Sequence, residues 1–427
     1  MVGDDSLIFD IQFGVDMHLV IIGAGIGGLT MALAAHHAGI SCDVYESVSE
    51  IKPVGVGINI LPHASRFLCE SLGLEEELSK KGVLTKEAIF FNRFGQKIYA
   101  EPSGRSAGYA WPQYSIHRGD LQMVLLDAFL QRVGKEHLHL GMDCLRVDEM
   151  SGVSYFKQSR SDNQAQITVK GDAVIACDGV HSVVRRQLHP NEGKPLYSGV
   201  NMWRGTTKWK PFLSEASMVR AGWLTQGKMV IYPIRNNIDG QGSQLINWVA
   251  ELETPNHLER DWNKQGRLED FIGAFEDWHF DWLDVPALIR GAESILEFPM
   301  IDQEPLPFWT RGRVTLLGDA AHPMYPRGSN GAGQSILDAQ SLAKFLVQES
   351  NVEKALQLYE NVRLEATGNV VRMNRINPPD AILREVWERT DDKPFKHIDD
   401  VISHAEMEAI TQRYKNVAGY DKKTVAA

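Results

Sequence analysis

A short apolar run, Val20-Ile21-Ile22, passes directly into Gly23-Ala24-Gly25-Ile26-Gly27-Gly28 and then into a helical pattern of Leu29, Ala32, Leu33 and His36. Glycines 23, 25 and 28 have the spacing GxGxxG. The first turns the chain tightly, the second lets a pyrophosphate approach bare backbone, and the third lets helix and strand pack closely. The helix then offers free N–H groups and the positive end of its dipole to an anion. Ser41 to Glu46 reads as the next strand and ends on a lone acid, Glu46, placed to accept hydrogen bonds from ribose hydroxyls. The plainer alternative is a solvated acid at a strand end. A chain that opens this way is committed to an α/β domain with a parallel sheet.

A second block makes sense only beside the first. Arg313 to Leu317 reads as a buried strand, and Gly318-Asp319-Ala320-Ala321-His322-Pro323-Met324-Tyr325-Pro326-Arg327-Gly328-Ser329-Asn330-Gly331-Ala332-Gly333 is a Gly/Asp/Pro turn that opens a helix. Together the blocks describe the two ends of one extended FAD. Between them, Asp172 to Cys177 is a buried strand running into Asp178-Gly179, a turn that hands over to a helix with Arg185 and Arg186.

The texture changes from about Pro195 to Trp309. Tryptophans become dense, and Gly199 to Thr207, Met229 to Ile234 and Leu245 to Glu251 alternate as antiparallel strands do. The FAD domain is therefore expected to be discontinuous, over 17–88, 110–195 and 310–375. A substrate domain takes 89–109 and 196–309, a helical tail 376–427, and a short arm 1–16. The tail is expected either to form a dimer surface or to cover the FAD domain, leaving a monomer or a homodimer.

At 427 residues the chain suits two domains. Its net charge of -11 comes without blocks of like charge, which argues against nucleic acid or an anionic membrane as partner. The four cysteines, Cys42, Cys69, Cys144 and Cys177, are scattered and suggest neither disulfides nor zinc. No metal site is expected, since no His/Asp/Glu pair stands at a ligand spacing with further ligands to complete it. The acidic start has no basic n-region, and no run of about 18 apolar residues occurs. A soluble cytoplasmic protein is the expectation.

Three blocks, Gly23 to Gly28, Asp178-Gly179 and Gly318-Asp319, resemble the dinucleotide, DG and GD motifs of the class A, single-component flavin-dependent aromatic hydroxylases. The resemblance spans residues from about Met17 to beyond Arg372 and implies a Rossmann-like FAD-binding domain of the p-hydroxybenzoate hydroxylase type, an inserted antiparallel-sheet substrate domain and C-terminal helices. Gly55-Val56-Gly57-Ile58-Asn59-Ile60, Pro112 to Gly119, Met202-Trp203-Arg204-Gly205 and Met324-Tyr325-Pro326 with Asn330-Gly331-Ala332 are most similar to phenazine hydroxylases, then to salicylate hydroxylases. Ser329-Asn330-Gly331, in place of the salicylate-type Gly-Gln-Gly, leans toward the former.

The resemblance implies cofactor contacts at Gly57, Arg118, Asp178, Asp319, Gly328, Asn330, Gly331 and Ala332, beside Gly23, Gly25, Gly28 and Glu46. Asp178 also has a purely local explanation as a turn former before a helix. The candidate catalytic residues are Pro326, Arg204 and Tyr232. Pro326 would contribute its carbonyl near the site of oxygen attack. Arg204, on a strand beside tryptophans, suits a bidentate carboxylate, with a salt bridge inside the domain as the rival reading. Trp203, Trp223 and Trp248 share those strands, but only alternate residues face a pocket. His322 is read as packing beneath the flavin loop, and His117 and His181 as structural. The implied chemistry is hydride transfer from NADPH or NADH to flavin, then O2 addition at C4a to give a hydroperoxide shielded from water. An electron-rich aromatic small molecule takes the distal oxygen. A decarboxylating salicylate-type hydroxylase is the alternative. Halogenases and prenyl reductases share the scaffold, but the halogenase signature Trp-x-Trp-x-Ile-Pro is missing.

Overall fold

The computed structural model describes residues 17–158, 166–254, 265–376 and 379–426, so the expected arm over 1–16 lies outside the described residues. Strand β1 (His18–Ile22) is apolar because both its faces are covered: Leu19, Val20 and Ile21 have no exposure. Helix α1 (Ile26–His37) carries the chain to β2 (Ser41–Glu46), which pairs with β1 in parallel. Strands β3 (Gly57–Ile60) and β4 (Tyr114–His117) form an antiparallel pair, and α2 (Arg118–Arg132) leaves β4 directly. Strand β5 (Ala173–Ala176) pairs in parallel with the other edge of β1.

The chain then builds a second sheet from β6 (Leu196–Trp209), β7 (Ser217–Trp223), β8 (Gly227–Arg235), β9 (Gln244–Glu253) and β10 (Ile295–Asp302), extended by Glu87–Phe91 and Lys97–Pro102. Its order is β10-β6-β9-β8-β7, then 87–91, then 97–102. The pairings are antiparallel except that β7 lies parallel to Glu87–Phe91. Of strand β7 only Trp223 was expected on a strand, because Ser217-Met218-Val219-Arg220-Ala221-Gly222 carries no period-2 contrast: it is buried on both faces, Arg220 included. One face packs Trp203, Val219, Ile231 and Trp248 against Phe271, Phe275, Trp278 and Leu288.

Strand β11 (Val314–Leu316) returns to the first sheet beside β5, giving the order 310–311, β11, β5, β1, β2, 138–140. Helices α3 (Gly331–Gln348) and α4 (Val352–Ile376) follow, and α3 packs against α1. The tail forms α5 (Ala381–Thr390) and α6 (His404–Ala418). The tail packs on both domains: Ile382, Leu383, Val386, Ile402 and Met407 pack on Ala88, Phe90, Ile98 and Tyr99 of the second sheet, and Tyr414 and Ala418 of α6 pack on Val370 of α4. The contact with the second sheet includes a buried charge cluster. Asp380, just before α5, meets Arg220 Nε at 2.9 Å and Lys228 Nζ, and Lys228 Nζ also meets Glu251 Oε1 at 2.9 Å.

Cutting one member of a buried ion network strands the others. Asp380→Ala is expected to destabilise the protein by about 3–5 kcal/mol, read from the urea midpoint at constant m. A loss below about 1 kcal/mol would show that the apolar contacts of α5 alone seat the tail.

Candidate functional site

The β1–α1 turn is shaped as the glycine spacing demands. Gly23 has φ +101°, and a Cβ there would lie 2.5 Å from the Cys177 carbonyl oxygen. A Cβ on Gly28 would lie 1.9 Å from the Gly23 oxygen, so helix and turn touch backbone to backbone. Gly25, by contrast, faces open space with no atom within 4 Å of its missing Cβ, and α1 has no side-chain cap. Glu46 is more than a solvated strand end. Its Oε2 accepts from Ala24 N–H at 2.7 Å and its Oε1 from Val48 N–H at 3.0 Å, which fixes the acid beside the turn. Gln122 of α2 donates to the Ala24 oxygen at 2.8 Å, a contact no local motif announces.

The second block converges on the same end of the sheet. Gly318 turns with φ +65°, and Asp319 stands exposed, making no hydrogen bond or ion pair among the described residues; its Oδ1 lies 4.0 Å from where Gly331 would carry a Cβ. The turn is held from below by Asp338 of α3. The Asp338 carboxylate accepts from Gly318 N–H at 3.1 Å and Arg363 Nε–H at 2.7 Å, and meets His322 Nε2 at 2.5 Å. Burial pushes this carboxyl up, but His322 and Arg363 outweigh it and hold it below the usual range. His322 is therefore packed under the loop, with its ring near Trp309. Ser182 caps the helix Val183–Leu188, and Asp178 adds to that end: its Oδ2 accepts from Val183 N–H at 2.7 Å. Its Oδ1 is buried without a partner, and burial raises its pKa.

The loop from Tyr325 to Asn330 leaves Pro326 exposed and runs through two left-handed residues, Gly328 (φ +75°) and Ser329 (φ +59°). Helix α3 then starts without a side-chain cap. The Asn330 amide turns inward, donating to Tyr414 Oη at 2.9 Å and the Gly328 oxygen at 3.2 Å, so toward a cofactor Asn330 offers backbone only. Gly331 and Ala332, half-buried, begin the helix. His63 lies under its first turn, with Cε1 3.5 Å from a Cβ built on Gly333. Burial and the charge of Arg363 push His63 down to about 3, so the ring is neutral.

Strand β3 packs against this loop on one side and meets the second sheet on the other. Both polar groups of the Gly57 backbone are taken: its N–H donates to Asn247 Oδ1 at 2.7 Å and its oxygen accepts from Arg204 Nη2 at 2.7 Å. Register places Arg204, Tyr232 and Asn247 on one face of the sheet, whereas Trp203 and Trp248 point to the opposite core. The rival reading of Arg204 as one half of a salt bridge is not met: it has no paired carboxylate among the described residues. Its Nε–H and the Asn247 Nδ2 group are buried without acceptors. Burial lowers the Arg204 pKa, opposed by nearby Tyr232 and Glu251, and a guanidinium stays charged regardless. Burial raises the Tyr232 pKa while Arg204 lowers it. Arg118 is exposed at the start of α2, its stem against Gly55. His117 Nε2 bonds the Gly55 oxygen at 2.9 Å, a structural duty.

These residues fit FAD. Two uncapped helix N-termini, an open Gly25, a carboxylate in Glu46 held beside the turn and a free carboxylate in Asp319 line one end of a parallel sheet. Residues 16–238 and 301–374 match the family described as FAD binding domain. A phenazine 1,6-dicarboxylic acid hydroxylase of Lysobacter antibioticus is 42% identical over 407 residues, covering 93% of this chain and 96% of the relative. A 3-amino-4-hydroxybenzoate 2-monooxygenase of Streptomyces cremeus is 31% identical, covering 84% of this chain and 86% of its own. Klebsiella pneumoniae HpxO complexed with FAD and uric acid superposes with a TM-score of 0.71 at 21% identity, covering 98% of each chain, which shows the shared fold.

Because Asp319 has no partner to lose, Asp319→Ala should leave the melting temperature of the apoprotein unchanged while weakening FAD at least about tenfold, the worth of one charge-assisted hydrogen bond. Flavin fluorescence titration beside apoprotein melting separates the two. His63 adds an acid-sensitive element. Its pKa is depressed from 6.5 to about 3, so the unfolded chain binds more protons between those values and stability falls as pH drops through that window. His63→Gln should flatten that slope of melting temperature against pH; an unchanged slope would assign the acid sensitivity elsewhere.

Proposed function

The chain belongs to the family of class A, FAD-dependent aromatic monooxygenases, and from that premise we propose that it hydroxylates a carboxylated N-heteroaromatic ring of the phenazine type, using NADH or NADPH and O2. The observation that carries this reading is the half-buried Arg204, which has no carboxylate partner among the described residues and keeps a buried, unpaired Nε–H on the same sheet face as the unpaired Nδ2 group of Asn247. Buried donors are almost always paired, so two unpaired donors on one sheet face call for an acceptor from a ligand. A carboxylate answers the guanidinium, and a ring nitrogen or hydroxyl answers the amide. A hydroxylase of phenazine 1,6-dicarboxylic acid among the relatives agrees in substrate class.

Bound FAD supplies electron transfer and oxygen activation. The protein's own part is to bind and to exclude water. Gly23, Gly25 and Gly28 with α1 hold the diphosphate, Glu46 the ribose, and Asp319 the chain between the two ends of the cofactor. The first turn of α3, from Gly331 and Ala332, presents the positive end of its dipole to negative charge in the cleft. Pro326 keeps the loop stiff in φ and removes one N–H donor from it. Arg204 fixes the ring's orientation, and Tyr232, held protonated by burial, hydrogen-bonds a ring hydroxyl or nitrogen. The four unpaired cysteines suit a reducing cytoplasm, and a monomer or homodimer completes the reading.

The test is NAD(P)H oxidation by the holoenzyme with phenazine carboxylates, salicylates and hydroxyquinolines, with mass analysis of the products. A phenazine carboxylate that gains one oxygen supports the reading; loss of the carboxyl places the enzyme with the salicylate type instead. Arg204→Gln should lower kcat/KM for a carboxylated ring by about 10–100-fold, chiefly through KM, and leave its decarboxylated analogue little changed.

A further inference from the structure

We infer that Tyr414 of the C-terminal helix α6 is a positioning residue that holds the loop Tyr325–Asn330 in place, and thereby sets how much of the oxidised NAD(P)H ends in hydroxylated product. The catalytic half of this inference rests on the function proposed above; the structural half does not.

The loop is poorly determined by its own backbone. Gly328 and Ser329 are left-handed in succession, and for Ser329 that conformation is strained. Strained backbone persists where the surroundings over-determine it; here β3 packs against the loop, the Asn330 amide bonds the Gly328 oxygen, and the Tyr414 hydroxyl joins both ends. Tyr414 is 1% exposed. Its Oη accepts from Asn330 Nδ2 at 2.9 Å and donates to Asn374 Oδ1 at 2.6 Å. Asn374 Nδ2 in turn donates to the Tyr325 oxygen at 3.2 Å. Both ends of the loop are thus tied through Tyr414. Its middle is tied as well, because a Cβ on Gly328 would lie 1.8 Å from Tyr414 Oη. Position 328 has to be glycine twice over, for its φ and for the ring pressed against it.

The helix that delivers Tyr414 is itself anchored at several points. Lys415 Nζ meets Glu101 Oε2 of the second sheet at 2.7 Å, Tyr109 Oη donates to the Tyr420 oxygen at 2.6 Å, and Gln334 of α3 donates to the Ala418 oxygen at 3.3 Å. The tail therefore transmits the position of the substrate sheet to the loop that carries Pro326. Tyr414 needs no contact with the reacting atoms for this. When the loop drifts, O2 still oxidises the enzyme, but NAD(P)H, O2 and a proton leave as NAD(P)+ and hydrogen peroxide without oxygen transfer to the ring.

Tyr414→Phe removes the hydroxyl and keeps the ring. In the apoprotein, hydrogen exchange of the amides over residues 327–333 should accelerate about tenfold, as for one lost hydrogen bond, while exchange in β1 and α1 stays as in the wild type. In the holoenzyme the peroxide-to-product ratio should rise several-fold. Gly328→Ala, which pushes the ring away, should reproduce both effects. Local exchange and peroxide ratio both unchanged in Tyr414→Phe would overturn the inference. If exchange rises but no aromatic compound is hydroxylated even by the wild type, Tyr414 still positions the loop and it is the proposed function that fails. A general rise in exchange across the first sheet would make Tyr414 a global stability residue and also overturn it.

Discussion

One buried carboxylate, Asp338, holds the cofactor end of the molecule together. It gathers the Gly318 amide, His322 and Arg363 around a single pair of oxygens, so the strand-ending turn, helix α3 and helix α4 share one origin. A buried carboxylate is tolerable only when its charge is balanced and its lone pairs are used, and both hold here. With its pKa held below the usual range, Asp338 contributes stability that is complete above the unfolded value of 3.8 and disappears as pH falls through the depressed native value. The geometric result matters more for function: Asp319, one residue beyond the anchored Gly318, is left pointing into solvent with nothing else to do.

The second sheet works by alternation. Period 2 sends Trp203, Ile231 and Trp248 to one face, where they build an aromatic core, and Arg204, Tyr232 and Asn247 to the other, where they meet β3. The same rule places Glu251, Lys228 and Arg220 on the face of Arg204, one, two and three strands away from it. Those charges are consumed by Asp380 and by one another. Arg204 is the guanidinium on that face that is left over.

How much of this was legible in the sequence depended on whether a residue's role was local. Gly23, Gly25 and Gly28 were legible because turn geometry and close packing are decided within six residues. The strands 18–22, 41–46 and 173–176 and helix 331–348 were legible from periodicity and flanking glycines. Strand β7 was legible only at Trp223, since burial on both faces erases alternation before it. Asp338, Arg363 and Tyr414 were not legible either: each acts on a segment far along the chain, and nothing in Leu337-Asp338-Ala339 or Arg413-Tyr414-Lys415 distinguishes them from ordinary helix residues. The side-chain direction of Asn330 was equally hidden, because its partner arrives 84 residues later.

The tail shows why such long-range contacts matter for chemistry of this kind. The candidate FAD site offers mainly backbone groups at helix ends, and backbone groups cannot be tuned by changing a side chain at the same position. Their position can be tuned only from outside, through whatever packs against the loop. Asp338 does this from beneath, with charge; Tyr414 does it from the side, with a hydroxyl and a ring against Gly328. The substrate face is treated the same way. The Gly57 N–H and oxygen are taken by Asn247 and Arg204, so this peptide of β3 is pinned by residues of the second sheet. The second sheet and β3 are thereby joined at Gly57 by two hydrogen bonds of 2.7 Å, one through each polar group of its backbone.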